Sequence, residues 1–426
     1  MPDRRWCSLA HRRLQTLVEM AARNIEDIAI IGGGLGGLLL AILLADSGIK
    51  STIYESRSAS PPAYSGPVML LPNGLRVLDH AGAYQQILAK GSLAPRNYAM
   101  SNDHKILDCR ECGDVDNFGY VGMRIYRQEL VGILDAMVRE RGVPVVYGKK
   151  FSRIVEETDT NVTFAFEDGD TKTHGVLVGA DGIHSTVRDY IAPNTSLIFS
   201  GNLSILGFVP KEAVKLPYPD YPQPAAVIGP AGNILFGWSD DTVAEYPLAT
   251  NCKMEDRRRQ GWDLLKKDTP ALLAMMRNGY EKWNSTVQGI LDNVKPESLF
   301  IWPFYTVPKL SHWTSQKSRV IILGDAAHAI PPQGGLGANL TFEDVESLAL
   351  LMTAGKADAV KWAADLSWWQ SYRIERMEGV KKLAMTIMKR RQGDQEGVAD
   401  YSWLYNFDVA RDVKAWCGKR DSPMLD

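Results

Sequence analysis

A short run rich in β-branched residues, Asp27-Ile28-Ala29-Ile30-Ile31, ends in Gly32-Gly33-Gly34-Leu35-Gly36-Gly37 and runs directly into the apolar stretch Leu38 to Leu44. This is the pattern of a strand, a glycine turn and a helix. Gly32 permits the tight turn, Gly34 leaves room for a pyrophosphate against the backbone, and Gly37 allows the helix to pack closely on the strand. The first helical residues, Leu35 and Gly36 among them, offer free N–H groups and the positive end of the helix dipole to the phosphates. A second strand, Ser51 to Tyr54, ends at Glu55, near the offset at which an acid accepts hydrogen bonds from a ribose. That carboxylate would repel a 2′-phosphate, so FAD and NAD fit the site and NADP fits poorly.

Two later stretches bear on which dinucleotide binds. After the strand Val176 to Val178 comes Gly179-Ala180-Asp181-Gly182-Ile183-His184-Ser185-Thr186-Val187-Arg188. Further on, Arg319 to Leu323 leads into Gly324-Asp325-Ala326-Ala327-His328 and then Pro331-Pro332-Gln333-Gly334-Gly335-Leu336-Gly337-Ala338-Asn339. A carboxylate at the end of an apolar strand, as at Asp325, is hard to explain as packing and can accept a hydrogen bond from a ribityl hydroxyl. Gly334, Gly335 and Gly337 leave N–H groups uncovered near a helix start, where they can stabilise charge on the N1/C2=O edge of a reduced flavin, and the prolines stiffen that loop.

Together these segments resemble the DG and GD motifs and the flavin loop of the FAD-dependent aromatic hydroxylases, the single-component class that includes para-hydroxybenzoate and salicylate hydroxylases. The resemblance spans about Ile25 to Val380. It implies contacts to FAD from Gly32, Gly34, Leu35, Gly36, Gly37, Glu55, Arg127, Asp181, Asp325, Pro332, Gly335, Gly337, Ala338 and Asn339. Arg127, at the start of a helix, is assigned by it to the ribityl or pyrophosphate part, and Asp181 to the flavin and the nicotinamide path. Competing readings are a first-turn arginine paired with a surface acid, and an aspartate capping the helix that begins near Ser185. His328 reads as a hydrogen-bonded structural residue, not a proton donor. Tyr372 and Arg376, one helical turn apart, read as a helix-to-sheet clamp.

The implied fold is α/β: a Rossmann-like FAD-binding domain built from discontinuous segments, an inserted β-sheet substrate domain and a helical C-terminal region. The expected divisions are an N-terminal extension over 1–24, FAD-binding segments at 25–100, 120–200 and 300–350, a β-rich substrate domain at 201–299 with 101–119 contributing, and helices over 351–426. Strand-like runs at Leu203 to Val209, Ala225 to Ile228, Ile234 to Trp238 and Ser298 to Phe304 make up the inserted sheet. Its aromatic residues Trp238, Trp302, Phe304 and Tyr305 are candidates for the cavity wall, against the competing reading that strand aromatics are core. No residue stands out as a general base.

The resemblance implies that NADPH or NADH, binding transiently, reduces FAD, and that O2 then forms a flavin C4a-hydroperoxide that hydroxylates or epoxidises a small organic substrate, aromatic or a secondary metabolite. The same motifs occur in FAD-dependent reductases and oxidases that insert no oxygen, which keeps that alternative open. They also occur in flavin-dependent halogenases, but the W-x-W-x-I-P signature is absent, the nearest sequence being Ser367-Trp368-Trp369-Gln370-Ser371.

Composition removes other classes of partner. With 48 basic against 50 acidic residues there is no electrostatic case for nucleic acid, and no apolar stretch reaches the length of a membrane helix. Five scattered cysteines argue for a reducing compartment, and Cys109 and Cys112 lack the second pair that a zinc site needs. The expected location is the cytoplasm, or the mitochondrion if the arginine-rich residues 1–24 act as a presequence, and the expected state is monomer or homodimer.

Overall fold

The computed structural model describes residues 27–58, 65–237, 244–330, 334–354, 359–391 and 400–422. The N-terminal extension, Trp238 and Pro332 lie outside the described residues.

A five-stranded parallel sheet runs in the order Val320–Ile322, Val176–Gly179, Asp27–Ile31, Lys50–Glu55, Val145–Tyr147. Of its inner strands, Val176–Gly179 and Asp27–Ile31 are apolar and buried apart from Asp27, and Tyr54 of Lys50–Glu55 packs on Phe164 and Phe166 of a separate three-stranded sheet. The helix Leu35–Asp46 is buried nearly all round: Arg127–Glu140 packs on one side and Gly337–Ala354 on another. That explains a sequence apolar on every face rather than along one stripe. Three adjacent strands, from the edge strand inward, start at positions 320, 176 and 27, so the nucleotide fold is assembled from distant segments and all three motifs emerge at the same edge.

A seven-stranded sheet stands apart, in the order Phe300–Thr306, Ile198–Pro210, Glu245–Lys253, Gly232–Phe236, Ala225–Gly229, Arg96–Ser101, Ile106–Glu111. Its pairings are antiparallel except that between Ala225–Gly229 and Arg96–Ser101. Boundaries drawn at 100 and 300 therefore need correcting. Arg96–Ser101 and Phe300–Thr306 belong to this sheet, because its end strands are supplied by chain on its way into and out of the nucleotide fold. A second core lies beneath it, where Trp262, Leu272, Trp283 and Ile290 pack on Leu203, Val227 and Phe236.

The C-terminal helices Gly337–Ala354, Ala359–Arg391, Ser402–Tyr405 and Val409–Asp421 close the other side. The first starts at Gly337, directly out of the glycine loop. Arg376 clamps helix to helix, not helix to sheet: its guanidinium binds Glu343 at 2.8 Å and the carbonyl of Leu404 at 2.9 Å. Tyr372 reaches Asp412 on the last helix at 3.0 Å.

Candidate flavin site and adjoining cavity

The glycine turn is shaped by contacts that leave no room for side chains. Gly32 has φ +108°, and a Cβ there would fall 2.5 Å from the carbonyl oxygen of Ala180, so this turn and the Asp181 segment interlock. A Cβ on Gly37 would lie 2.0 Å from the Gly32 carbonyl oxygen, whereas one on Gly34 would meet nothing within 4 Å. Gly34 thus borders open space at the N-terminus of a helix with no side-chain cap and no acid in its first turn. The N–H groups of Leu35, Gly36 and Gly37 precede the first intrahelical bond, from Leu38 N–H to Gly34. The side chain of Leu35 is buried, and Gly36 faces Thr341 of the neighbouring helix, so both can meet a phosphate only through the backbone.

Glu55 ends its strand against this turn. Its carboxylate accepts the Gly33 N–H and the Arg57 N–H, each at 2.7 Å, and the Arg57 guanidinium at 3.0 and 3.2 Å. Burial alone would raise its pKa; the hydrogen bonds and charge of Arg57, with the Gly33 N–H, hold it below the ordinary value. Arg57 was not anticipated from sequence, and it corrects the expectation about a 2′-phosphate: with a largely exposed guanidinium beside it, the acid alone does not decide that preference.

Asp181 stands against Gly32, but its Oδ2 accepts the N–H groups of Thr186 at 2.9 Å and Val187 at 3.2 Å. The geometry favours the helix-capping reading of this residue. Asp325 behaves differently. It opens a single helical turn after the strand Val320–Ile322 and is exposed while Leu323, Gly324, Ala326 and Ala327 are buried, so a carboxylate is presented at the end of a buried strand. Arg127, first residue of its helix, is accessible yet closely surrounded. Its pKa is lowered by desolvation and by the charge of Arg57, against an opposing pull from Asp325. Arg127 thus lies within electrostatic reach of both Arg57 and Asp325.

Beyond Asp325, Gly335 takes φ +63° and would bring a Cβ within 3.0 Å of Met69. The helix then begins at Gly337, and its first intrahelical bond runs from Leu340 N–H to Leu336, leaving the N–H groups of Gly337, Ala338 and Asn339 ahead of it. The side chain of Asn339 requires a correction. It is fully buried, donating to the carbonyls of Met69 and Gly335 and accepting the Leu71 N–H, each at 2.9 Å. Its amide fastens the loop, and only its backbone is available to a cofactor. His328 is likewise structural, with Nε2 2.5 Å from the buried carboxylate of Asp344, which also accepts the Gly324 N–H at 2.9 Å.

A cavity of about 270 Å³ separates this loop from the seven-stranded sheet, with Gly334 and Gly335 at its edge. Phe300, Trp302 and Phe304 line it, as alternate residues of one strand must if any of them does. Tyr305, expected on the same wall, faces the opposite side of the sheet, where its hydroxyl accepts the Trp262 indole N–H at 2.9 Å and binds Asp256. Asp108, Arg110 and Arg124 also line the cavity. Asp108 and Arg110 are alternate residues on one face of Ile106–Glu111 and Arg124 lies on Met123–Tyr126, and nothing local in the sequence marks these strands as facing a cavity. Cys112 is buried and its thiol is raised to about 11 by desolvation, a setting that suppresses thiolate chemistry. Among the described residues, no three His, Cys, Asp or Glu side chains converge on a metal position, and no helix is long and apolar enough to cross a membrane.

The sequence profile of a family described as FAD binding domain matches residues 26–217 and 304–386, most of the chain. The chain belongs to this FAD-binding family. FAD is its cofactor, and the residues present fit that group: an uncapped helix start beside an open Gly34, an exposed acid at a buried strand end, and a glycine loop at a second helix start. Among curated relatives, 3-amino-4-hydroxybenzoate 2-monooxygenase of Streptomyces platensis is 26% identical, over 91% of this chain and 98% of that one. The 6-hydroxynicotinate 3-monooxygenase of Bordetella bronchiseptica is also 26% identical, over 90% and 95%. A solved salicylate hydroxylase substrate complex shares the fold, with TM-score 0.74 at 20% identity over 94% of this chain and 99% of that one. With relatives of this kind along nearly its whole length, the FAD-binding chain is an oxidoreductase, an FAD-dependent monooxygenase.

Proposed function

We propose that the enzyme hydroxylates or epoxidises a small aromatic compound, using NADPH or NADH and O2, with the substrate held between the Gly334–Gly335 loop and the seven-stranded sheet. The observation that carries this reading is that Gly334 and Gly335, of the loop we assign to the flavin, line the cavity. Bound FAD supplies the redox and oxygen-activating chemistry. The protein's part is to bind, orient and exclude water. The uncapped helix at Leu35 receives the pyrophosphate, Glu55 the ribose, and Arg127 and Asp325 the ribityl chain between them. The N–H groups from Gly335 to Ala338 would donate to the flavin ring and favour negative charge there.

On the substrate side, the apolar wall of Phe300, Trp302 and Phe304 suits a flat ring, and Arg110, Arg124 and Asp108 supply polar contacts. Asp108 is the one carboxylate on that wall among the described residues, and no histidine lies there. The relatives' names support an aromatic, ring-hydroxylated substrate class. The test is NAD(P)H consumption by the purified yellow protein across a panel of hydroxylated benzoates and pyridines, with product masses. A gain of one oxygen atom with substrate-stimulated consumption is expected. Products reduced or desaturated without oxygen gain, or a colourless protein that FAD cannot reconstitute, would overturn the assignment.

A further inference from the structure

The Gly334–Gly335 peptide is flanked by two residues without side chains, so its plane can rotate at little cost. A trans peptide points its C=O and N–H in opposite directions, which means that whatever holds the Gly334 carbonyl decides where the Gly335 N–H aims. That carbonyl is held from outside the nucleotide fold. Arg110, on the edge strand Ile106–Glu111 of the seven-stranded sheet, donates Nη1–H to it at 2.7 Å. The guanidinium is itself braced: Nε and Nη2 lie 3.4 and 3.3 Å from the hydroxyl of Tyr405, which donates to the Glu111 carbonyl at 2.9 Å. The ring of Tyr401 lies under it at 4.8 Å. The next peptide is fixed from the opposite side, by Asn339 on the Gly335 carbonyl.

We propose that Arg110 is a positioning residue that, backed by Tyr405 of the C-terminal segment, orients the Gly334–Gly335 peptide so that the Gly335 N–H donates to the flavin. The inference rests on the reading that the flavin ring lies against the 334–339 loop. It gives the short helix Ser402–Tyr405 a function: this helix supports, through one side chain, a peptide that stabilises the reduced ring. The arrangement also joins the sheet that lines the cavity to the loop that borders the flavin.

The test compares the substrate-free holoenzyme with its Arg110→Lys and Tyr405→Phe variants, reading the flavin midpoint potential and the affinity for oxidised FAD. Lysine keeps the charge but cannot hold Gly334 and Tyr405 together, and phenylalanine leaves Arg110 in place without its brace, so neither variant confounds orientation with lost charge. Expected is near-unchanged affinity for oxidised FAD with about tenfold weaker relative binding of the reduced form in Arg110→Lys, a potential lower by about 30 mV for a two-electron couple. Tyr405→Phe should shift it in the same direction by less. A merely structural arginine would lower thermal stability and leave the potential alone. Folded variants with the wild-type potential would overturn the proposal, and if Arg110→Lys does not fold, Tyr405→Phe decides. A wild-type protein that takes up no FAD would instead overturn the flavin reading itself.

Discussion

Gly34 and Gly37 are three residues apart in one turn and look alike in the sequence, yet the structure gives them opposite sensitivities. At Gly34 the backbone is extended, with φ −84° and ψ −174°, and an added Cβ enters open space, so Gly34→Ala should leave the apoprotein within about 1 kcal/mol of wild type. The same methyl stands where a pyrophosphate must approach, and FAD should bind at least about tenfold more weakly. Gly37→Ala puts its methyl 2.0 Å from a carbonyl oxygen and should destabilise the apoprotein by about 1–3 kcal/mol whether or not FAD is present. Denaturant unfolding of the two apoproteins, beside FAD titration, separates these effects; equal stability losses would show that the turn is not packed as described. Asp325→Ala removes an acid whose carboxylate has no hydrogen bond or ion pair among the described residues and acts on Arg127 only through its charge, so it should cost FAD affinity by about 1.5–3 kcal/mol, roughly 10- to 100-fold, with stability little changed. Asp325 was readable in sequence because a lone acid ending an apolar strand has few structural uses. Asn339 was not, because an amide serves equally well as a ligand or as a staple, and only the positions of Met69, Leu71 and Gly335 decide which.

The helix Gly337–Ala354 holds its N-terminus at the glycine loop because its middle is secured from behind. Glu343 and Asp344, both fully buried, receive Arg373 and Arg376 from the helix Ala359–Arg391, and Asn73 adds a hydrogen bond to Glu343 at 2.7 Å. Arg373→Met removes one charged partner from each of two buried carboxylates and should cost about 3–5 kcal/mol in urea unfolding, far more than loss of an exposed pair would. The pH dependence follows from the same groups. Burial pushes the Glu343 and Asp344 pKa values up, but Arg376 and Arg373 on the first, and His328 and Arg373 on the second, bring both below the ordinary carboxylate range. A depressed folded pKa contributes stability that is fully present above the unfolded value near 4 and is lost as pH falls through the folded value. His80 works the other way. Its hydrogen bond to Glu346 at 2.5 Å raises its pKa above 6.5, so its contribution is complete below 6.5 and disappears as pH rises through the raised value. Unfolding midpoints should therefore drop steeply below about pH 4 and decline gently above neutrality, and His80→Gln should abolish only the gentle decline. The helix itself was legible from apolar spacing at Phe342, Val345, Leu348 and Ala349. Its ionic fastening was not, since a consecutive Glu-Asp pair reads as a solvated face until arginines some 30 positions away are known to reach it.

At the scale of the whole molecule, what could be read locally was the material of each sheet, and what could not was its order. Three motifs at the ends of three apolar strands implied one parallel sheet, because only a shared edge lets them meet one ligand. Nothing local announces that Arg96–Ser101 pairs in parallel with Ala225–Gly229, more than a hundred residues away, or that this strand and Ile106–Glu111 bring Asp108 and Arg110 to the cavity. Strand alternation is the one rule that carries through, and it separates Trp302 from Tyr305 although sequence position alone made them equal candidates. Trp302 is 47% exposed and faces the cavity, so Trp302→Ala should raise KM for the aromatic substrate about tenfold or more while FAD affinity and unfolding stay at wild-type values. Tyr305→Phe, on the other face, should leave KM alone and cost about 1 kcal/mol of stability through the hydroxyl that Trp262 and Asp256 share. Steady-state kinetics and denaturation of the two variants test the placement of the whole sheet over the flavin. If Tyr305→Phe raised KM and Trp302→Ala did not, the sheet would present its other face to the substrate, and the cavity beside Gly334 and Gly335 would not be where chemistry occurs.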